Sequence, residues 1–262
     1  MAMMLLAYKA EREFSLGRAI ICALVPLLAM TSAGCASVLG SDELRDANSC
    51  VAADASVVRD LHIHLRSLPI QAWSELRLLD PDKAAALALG VIDVTSSDTS
   101  ELVFKSAIPA GLLPELEWFV DYNANKIFNA DVDLLVRKQI CPDGNVFVST
   151  NSNLPPLAER AVIVGSTLQI TLLFDVGFTA EQIDLRGTDV ETNQQVALYR
   201  ISRFEDSPLI FSLPYVFQGD QTYRIDVLVW TDMAVQPEPV AEALVTLASG
   251  YQTLTLDLRA LD

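Results

Sequence analysis

The sequence predicts an all-β protein: two tandem seven-stranded antiparallel β-sandwiches behind an N-terminal signal helix. Three observations carry this. After residue 41 the chain is a succession of short β-like runs separated by turn residues, with almost no helical periodicity. The second half then repeats the first. Finally, the one long apolar run sits at the extreme N-terminus, where it reads as an address rather than as part of a core.

The repeat is seen by self-comparison. LHIHL (61–65) matches LQITL (168–172) at an offset of 107, and ELRLLD (75–80) matches DLRGTD (184–189) at 109. LVFKSAIP (102–109) matches LIFSLPYV (209–216) at 107, ELEWFVD (115–121) parallels DVLVWTD (226–232) at 111, and DLLVRK (133–138) parallels EALVTL (242–247). The order never breaks, which is the mark of a duplicated unit. Candidate strands in the first copy fall near 57–66, 73–79, 86–94, 101–107, 115–122, 132–139 and 145–150. In the second they fall near 167–175, 181–187, 195–203, 208–213, 222–231, 240–247 and 251–259. Seven short strands per unit, with no Gly-rich phosphate loop, are similar in architecture to immunoglobulin-like and transthyretin-like sandwiches, though the Cys–Trp–Cys hallmark of antibody domains is missing. The expected layout is a signal at 1–34, a tether at 35–56, a sandwich at 57–151, a linker at 152–163 and a second sandwich at 164–262. Pro155 and Pro156 make that linker a stiff, extended spacer expected to hold the sandwiches apart.

At the N-terminus, Lys9, Arg12 and Arg18 precede the apolar run Ala19 to Met30, the arrangement of an export signal. Ser32, Ala33 and Gly34 then lead directly into Cys35. This stretch resembles the lipobox of bacterial lipoproteins, and the resemblance implies that Cys35 is acylated and becomes the mature N-terminus. It also implies that the chain is held to a membrane by lipid, and Ala36, which is not the aspartate that retains lipoproteins in the inner membrane, points to the outer one. The other reading of Ala19 to Ser41 is a membrane-spanning helix, its 23 uncharged residues being long enough. Either way the basic residues stay inside and everything from Asp42 onward is exported.

The chain has 18 Lys and Arg against 34 Asp and Glu; without residues 1–34 these become 15 and 32, a net charge of −17. Such a surface repels nucleic acid and excludes a reader of phosphates. Of the cysteines outside the signal and the lipid site, Cys50 and Cys141 remain. In an exported chain they are expected to form a disulfide, the alternative being two buried thiols.

Candidate chemistry is sparse. In DYNANKIFNADVD (121–133), Asp121, Asn123 and Asn125 alternate like the first half of a calcium loop, and Asn129, Asp131 and Asp133 add oxygen ligands. It resembles an EF-hand or dockerin loop in part: Lys126 stands where the sharp turn wants glycine, and Val132 where the closing carboxylate belongs. Calcium is the one cofactor suggested, against a polar turn in which Asn and Asp serve backbone geometry alone. His62 and His64, two apart on a strand face, have the spacing of a zinc pair or of a solvated strand face. Trp73, Trp118 and Trp230 are expected in the core. No G-x-S-x-G, H-E-x-x-H or Walker pattern is present. The expected function is therefore non-enzymatic binding, adhesion or structural support at the bacterial envelope, with a protein or glycan partner. An envelope-side hydrolase or a metal-dependent carbohydrate binder is the alternative.

Overall fold

The computed structural model describes residues 56–259 apart from short stretches at 67–71, 84, 94–99, 141–143, 151–153, 205–206 and 233–236. Cys35, Cys50 and Cys141, with the signal and most of the tether, lie outside the described residues. The described residues are all-β, with several sheets and none closed among them.

Fourteen strands are found among the described residues, seven in each half. The first half contains β1 (Arg59–Arg66), β2 (Trp73–Leu79), β3 (Ala86–Asp93), β4 (Ser100–Ile108), β5 (Glu115–Asp121), β6 (Leu134–Gln139) and β7 (Asn145–Ser149). The second contains β8 (Ser166–Leu173), β9 (Ala180–Asp189), β10 (Gln195–Phe204), β11 (Leu209–Phe217), β12 (Thr222–Trp230), β13 (Pro239–Thr246) and β14 (Tyr251–Asp257). Most begin and end within two residues of where the alternation of apolar and polar residues places them. The clearest departure is β11, which runs to Phe217.

The two halves have the same topology. A three-stranded sheet β4-β1-β7 in the first corresponds to β11-β8-β14 in the second, and the order β3-β2-β5-β6 corresponds to β10-β9-β12-β13. In each half the first and last strands pair in parallel, β1 with β7 and β8 with β14. The sheets are thus not purely antiparallel as expected: strands joined by short turns must run antiparallel, but strands at opposite ends of a repeat are under no such constraint.

The halves are not held apart. β3 and β10 pair in parallel, Ala197 beside Leu89, Leu198 beside Gly90 and Tyr199 beside Val91, and this fuses the two four-stranded orders into one eight-stranded sheet. Partners in this pairing are separated by 108 residues, one fewer than the 109 that relates ELRLLD to DLRGTD, so equivalent residues sit one position out of step and point to opposite faces of the sheet.

Because the joined strands are parallel equivalents, the remaining strands of the two halves cover opposite faces of the shared sheet. On β3, Ala88 and Ile92 enter one core with Leu61, Ile63 and Phe104 of the first half, whereas Leu89 and Val91 enter the other with Ile170, Phe211 and Phe217 of the second. β10 mirrors this, with Leu198 in the first core and Ala197 and Tyr199 in the second. Burial at the seam pushes the Tyr199 hydroxyl up to about 12. Each apolar side chain withdrawn there contributes about 1.5–3 kcal/mol, so both faces of the joint hold it together.

The residues after Pro156 do not form a free spacer. They return over the face of the first half's sheet that its own three-stranded sheet leaves uncovered: the Leu157 N–H donates to the Leu135 carbonyl on the outer edge of β6 (2.7 Å), and Ile163 is buried. With one face under β4-β1-β7 and the other under this connector and the second core, β2 is buried at all seven positions.

Gly90 marks the tightest point of the seam. A Cβ there would lie 3.0 Å from Phe104 Cζ and 3.3 Å from Leu102 Cδ1. Gly90→Val is expected to cost about 1–3 kcal/mol by overpacking, read as a lower urea midpoint with an unchanged slope.

Candidate functional site

The charged residues of this protein are not all on its rim. Under the connector, Glu75 and Arg77 of β2 and Glu117 of β5 are buried, and the register sets Arg77 directly opposite Glu117. Arg77 Nε and Arg160 Nη2 both pair with Glu75 Oε1. Arg137 Nη2 donates to Glu117 Oε2 at 2.8 Å, the same oxygen accepts the Ala161 N–H at 3.0 Å, and Arg160 Nε lies 3.7 Å from Glu117 Oε1. The Arg160 guanidinium also sits 4.3 Å over the Phe119 ring, a cation–π contact. Burial pushes the Arg77 guanidinium below its ordinary value, partly offset by Glu75. Buried carboxylates demand such partners, since removing one side of a buried pair typically costs about 3–5 kcal/mol.

The second half repeats the arrangement with different supports. Asp184 and Arg186 on β9 replace Glu75 and Arg77, and Asp226 of β12 stands opposite Arg186 as Glu117 stands opposite Arg77. The second guanidinium comes from inside the sheet. Arg200 on β10 grips Asp184 through two bonds, Nε to Oδ1 at 2.7 Å and Nη2 to Oδ2 at 2.8 Å, and its Nη1 donates to the Glu101 carbonyl of the first half at 2.6 Å. Gln182 Nε2 donates to Asp184 Oδ1 at 2.9 Å. Sequence comparison matched ELR with DLR as a sign of duplication without recognising a buried ionic motif. The available signal was an acid-x-Arg at the same place in each repeat, on strands otherwise apolar. The structural register also sets Asp226 against Glu117, an offset of 109, where matching ELEWFVD with DVLVWTD gave 111. A two-residue slip keeps the same side chains inward and so leaves the alternation unchanged.

The 121–133 loop joins β5 to β6, and its two buried carboxylates are occupied by backbone. Asp121 Oδ1 accepts the Asn123 N–H at 3.1 Å and Oδ2 the Lys126 N–H at 2.5 Å; Asp133 Oδ1 accepts Tyr122 N–H at 3.2 Å and Oδ2 accepts Asn129 N–H at 2.7 Å. The side-chain oxygens of Asn123 and Asn125 accept the N–H two residues on, at 3.0 and 2.7 Å. Lys126 adopts φ +64°, the left-handed conformation that glycine would have taken more cheaply. Asn129 and Asp131 are exposed. Six residues read together as oxygen ligands thus divide: four cap the loop's own backbone, and Asn129 and Asp131 face solvent.

His62 and His64 lie on the outer face of β1, His62 Nδ1 3.3 Å from Glu101 Oε1 and His64 stacked on Phe147 at 4.6 Å. Trp73 and Trp118 are core residues, whereas Trp230 is half-buried on the outer face of β12. Among the described residues no group of three or more His, Cys, Asp and Glu is arranged to hold a metal. A shallow cleft of about 130 Å³ lies beside the connector, lined by Leu79, Asp80, Lys83, Glu115, Arg137 and Val162. Pockets for small substrates usually run to about 300–1,000 Å³.

No protein-family model matches the chain, and neither does any curated protein. Among solved structures, it is similar to the Bacillus anthracis TIE protein at 10% identity and TM-score 0.25, covering 76% of this chain and 34% of that one. It is also similar to a leucine-rich repeat protein from Bacteroides thetaiotaomicron VPI-5482, at 7% identity and TM-score 0.21, covering 76% of this chain and 26% of that one. The chain thus spans about a third or less of the length of either.

The loop geometry separates two roles for its carboxylates. Asp121→Ala strips two N–H groups of their acceptor and is expected to cost about 1.5–3 kcal/mol. Asp131→Ala, at an exposed position, should change stability by less than about 0.5 kcal/mol. Thermal melts with and without millimolar calcium at constant ionic strength check this, and a calcium-dependent rise in Tm that Asp131→Ala abolishes would assign the loop to metal binding instead.

Proposed function

We propose that this chain is a lipid-anchored, extracytoplasmic protein of the bacterial envelope, in its outer membrane, and that it works by binding a macromolecular partner through its sheet surfaces. The observation that carries the reading is the SAGC stretch ending in Cys35 behind a charged segment and a short apolar run. In this reading Cys35 is acylated, residues 36–56 tether the folded part to the lipid, and a disulfide between Cys50 and Cys141 ties the tether to the first half.

The composition and the fold support binding over a broad surface. A net charge of −17 outside residues 1–34 favours basic or neutral partners over nucleic acid. Among the described residues the folded part offers long sheet faces and edges and a shallow cleft of about 130 Å³. The two halves, as descendants of one duplicated sandwich of immunoglobulin-like or transthyretin-like type, present related surfaces that have since diverged.

Intact-mass measurement of the protein extracted from bacterial membranes should show a mature N-terminus at Cys35 carrying acyl chains. Cys35→Ala should leave the chain unprocessed or release it from the membrane fraction. A mature N-terminus at any other residue would refute the anchor.

A further inference from the structure

A strand at the end of a sheet offers unpaired backbone to any other strand, and folded proteins blunt such edges with charge, proline, bulges, shortness or a cover. The carbonyls of β4 at Glu101, Val103 and Ala107 accept the side chains of Arg200, Gln195 and Gln194 of the second half at 2.6, 3.2 and 3.2 Å, and the Leu157 N–H closes on β6. β7 has only five residues, β11 is broken by Pro214 and by Tyr215 at φ +62°, and β13 opens at Pro239 and carries the exposed Glu242. The edge strand β14 differs: its seven residues, YQTLTLD, run in unbroken register along β8, with no proline and no charge before the last.

The bonds to β8 fix which way this backbone points. The Thr167 N–H donates to the Gly250 carbonyl at 2.8 Å and the Leu258 N–H to the Leu173 carbonyl at 2.9 Å, so in this parallel ladder the even-numbered residues serve β8. Tyr251, Thr253, Thr255 and Asp257 therefore turn their amides and carbonyls to the open edge, and all four are exposed. Between them Leu254 and Leu256 are half-buried, whereas Val146 and Val148, which hold the corresponding places on β7, are buried. Charge decides what can approach. The chain carries a net −16, yet Asp257 is the one charged residue in β8, β11 and β14, and Arg259 Nε donates to its Oδ1 at 2.8 Å. The matching sheet of the first half carries Arg59, Asp60, Arg66, Glu101 and Lys105 on β1 and β4. Two copies of so acidic a chain repel each other, and this nearly uncharged sheet is a surface on which they can meet.

We propose that β14 is a self-association edge: a second copy of the chain pairs its own β14 antiparallel to this one about a two-fold axis at Leu254, joining the two three-stranded sheets into one. In that register Thr253 faces the second copy's Thr255 and Tyr251 faces its Asp257, so every outward amide and carbonyl of the strand is met. Threonine beside threonine is a favourable cross-strand pair, and no carboxylate meets another. On the inner side Leu254 lies against its own copy at the axis and Leu256 beside the second copy's Gln252, covering apolar surface left half-open. A patch that complements itself is what a two-fold dimer requires. A basic partner, by contrast, would find on this edge no carboxylate that Arg259 does not already hold. The inference concerns a different occupant from the partner proposed above, and it holds whether or not Cys35 is acylated.

Sedimentation equilibrium of the full chain, in a density-matched mild detergent that screens its N-terminal apolar run, should give a dimer that dissociates on dilution. Thr253→Lys with Thr255→Lys sets lysine against lysine on both sides of the axis and should raise the dimer Kd about 10-fold or more. Thr253→Lys with Thr255→Glu sets lysine against glutamate and should keep a dimer at least as tight as that of the unaltered chain. Both positions are exposed, so both variants keep the circular dichroism of the folded chain and the difference between them reports the register. A chain monomeric at all concentrations would overturn the proposal, even if it bound a synthetic peptide of residues 250–258, which would make the occupant an extended segment of another protein. A dimer unaffected by the two lysines would overturn it, as would one lost in both variants. Dimerisation abolished by Glu242→Lys but not by the lysines on β14 would place the contact on β13 and overturn it too.

Discussion

The parallel pairing of β3 with β10 is the constraint from which most of the architecture follows. Equivalent strands of a repeat can join edge to edge in parallel only if the two units face opposite ways across the common sheet. The covering sheet of each half must then lie on the other side from its counterpart. That is why Leu89 and Val91, on the first half's side of the seam, pack in the second half's core, and why Leu198 does the reverse. The joint also removes two edges that would otherwise be open to aggregation.

The buried ionic clusters are a consequence of the same geometry. In a lone sandwich the outer faces would be solvated, and Glu75, Arg77 and Glu117 would be ordinary surface charges. Here the connector closes over them, so each must be matched within the protein. Such clusters contribute little net stability once desolvation is counted; they penalise any register in which the partners separate. The halves reach this differently, the first borrowing Arg160 from the connector and the second taking Arg200 from the neighbouring strand. This difference frees the second half from needing a connector at Asp184, and each half keeps one carboxylate oxygen, Glu117 Oε1 and Asp226 Oδ1, without a hydrogen bond among the described residues.

Strand positions and the duplication were legible in the sequence because period-two alternation and repeated motifs are local signals. The joining of the halves was not, because pairing between β3 and β10 involves residues more than a hundred positions apart. A hint was present: ALALGVID and QVALYRIS are nearly continuous in apolar residues, as strands buried on both faces must be. The connector misled for a similar reason. Pro155 and Pro156 do favour an extended backbone, but extension says nothing about whether a segment crosses solvent or lies on a sheet. In the 121–133 loop the residue types were correctly singled out, whereas the direction of their oxygens, toward backbone N–H groups, is a property of the folded turn alone.

Calorimetry of the folded part tests most directly whether the two halves form one structure. A sheet and cores shared across β3 and β10 predict a single endotherm whose calorimetric and van 't Hoff enthalpies agree. Two resolved transitions, or a calorimetric enthalpy about twice the van 't Hoff value, would mean that the halves melt independently and would contradict the shared sheet.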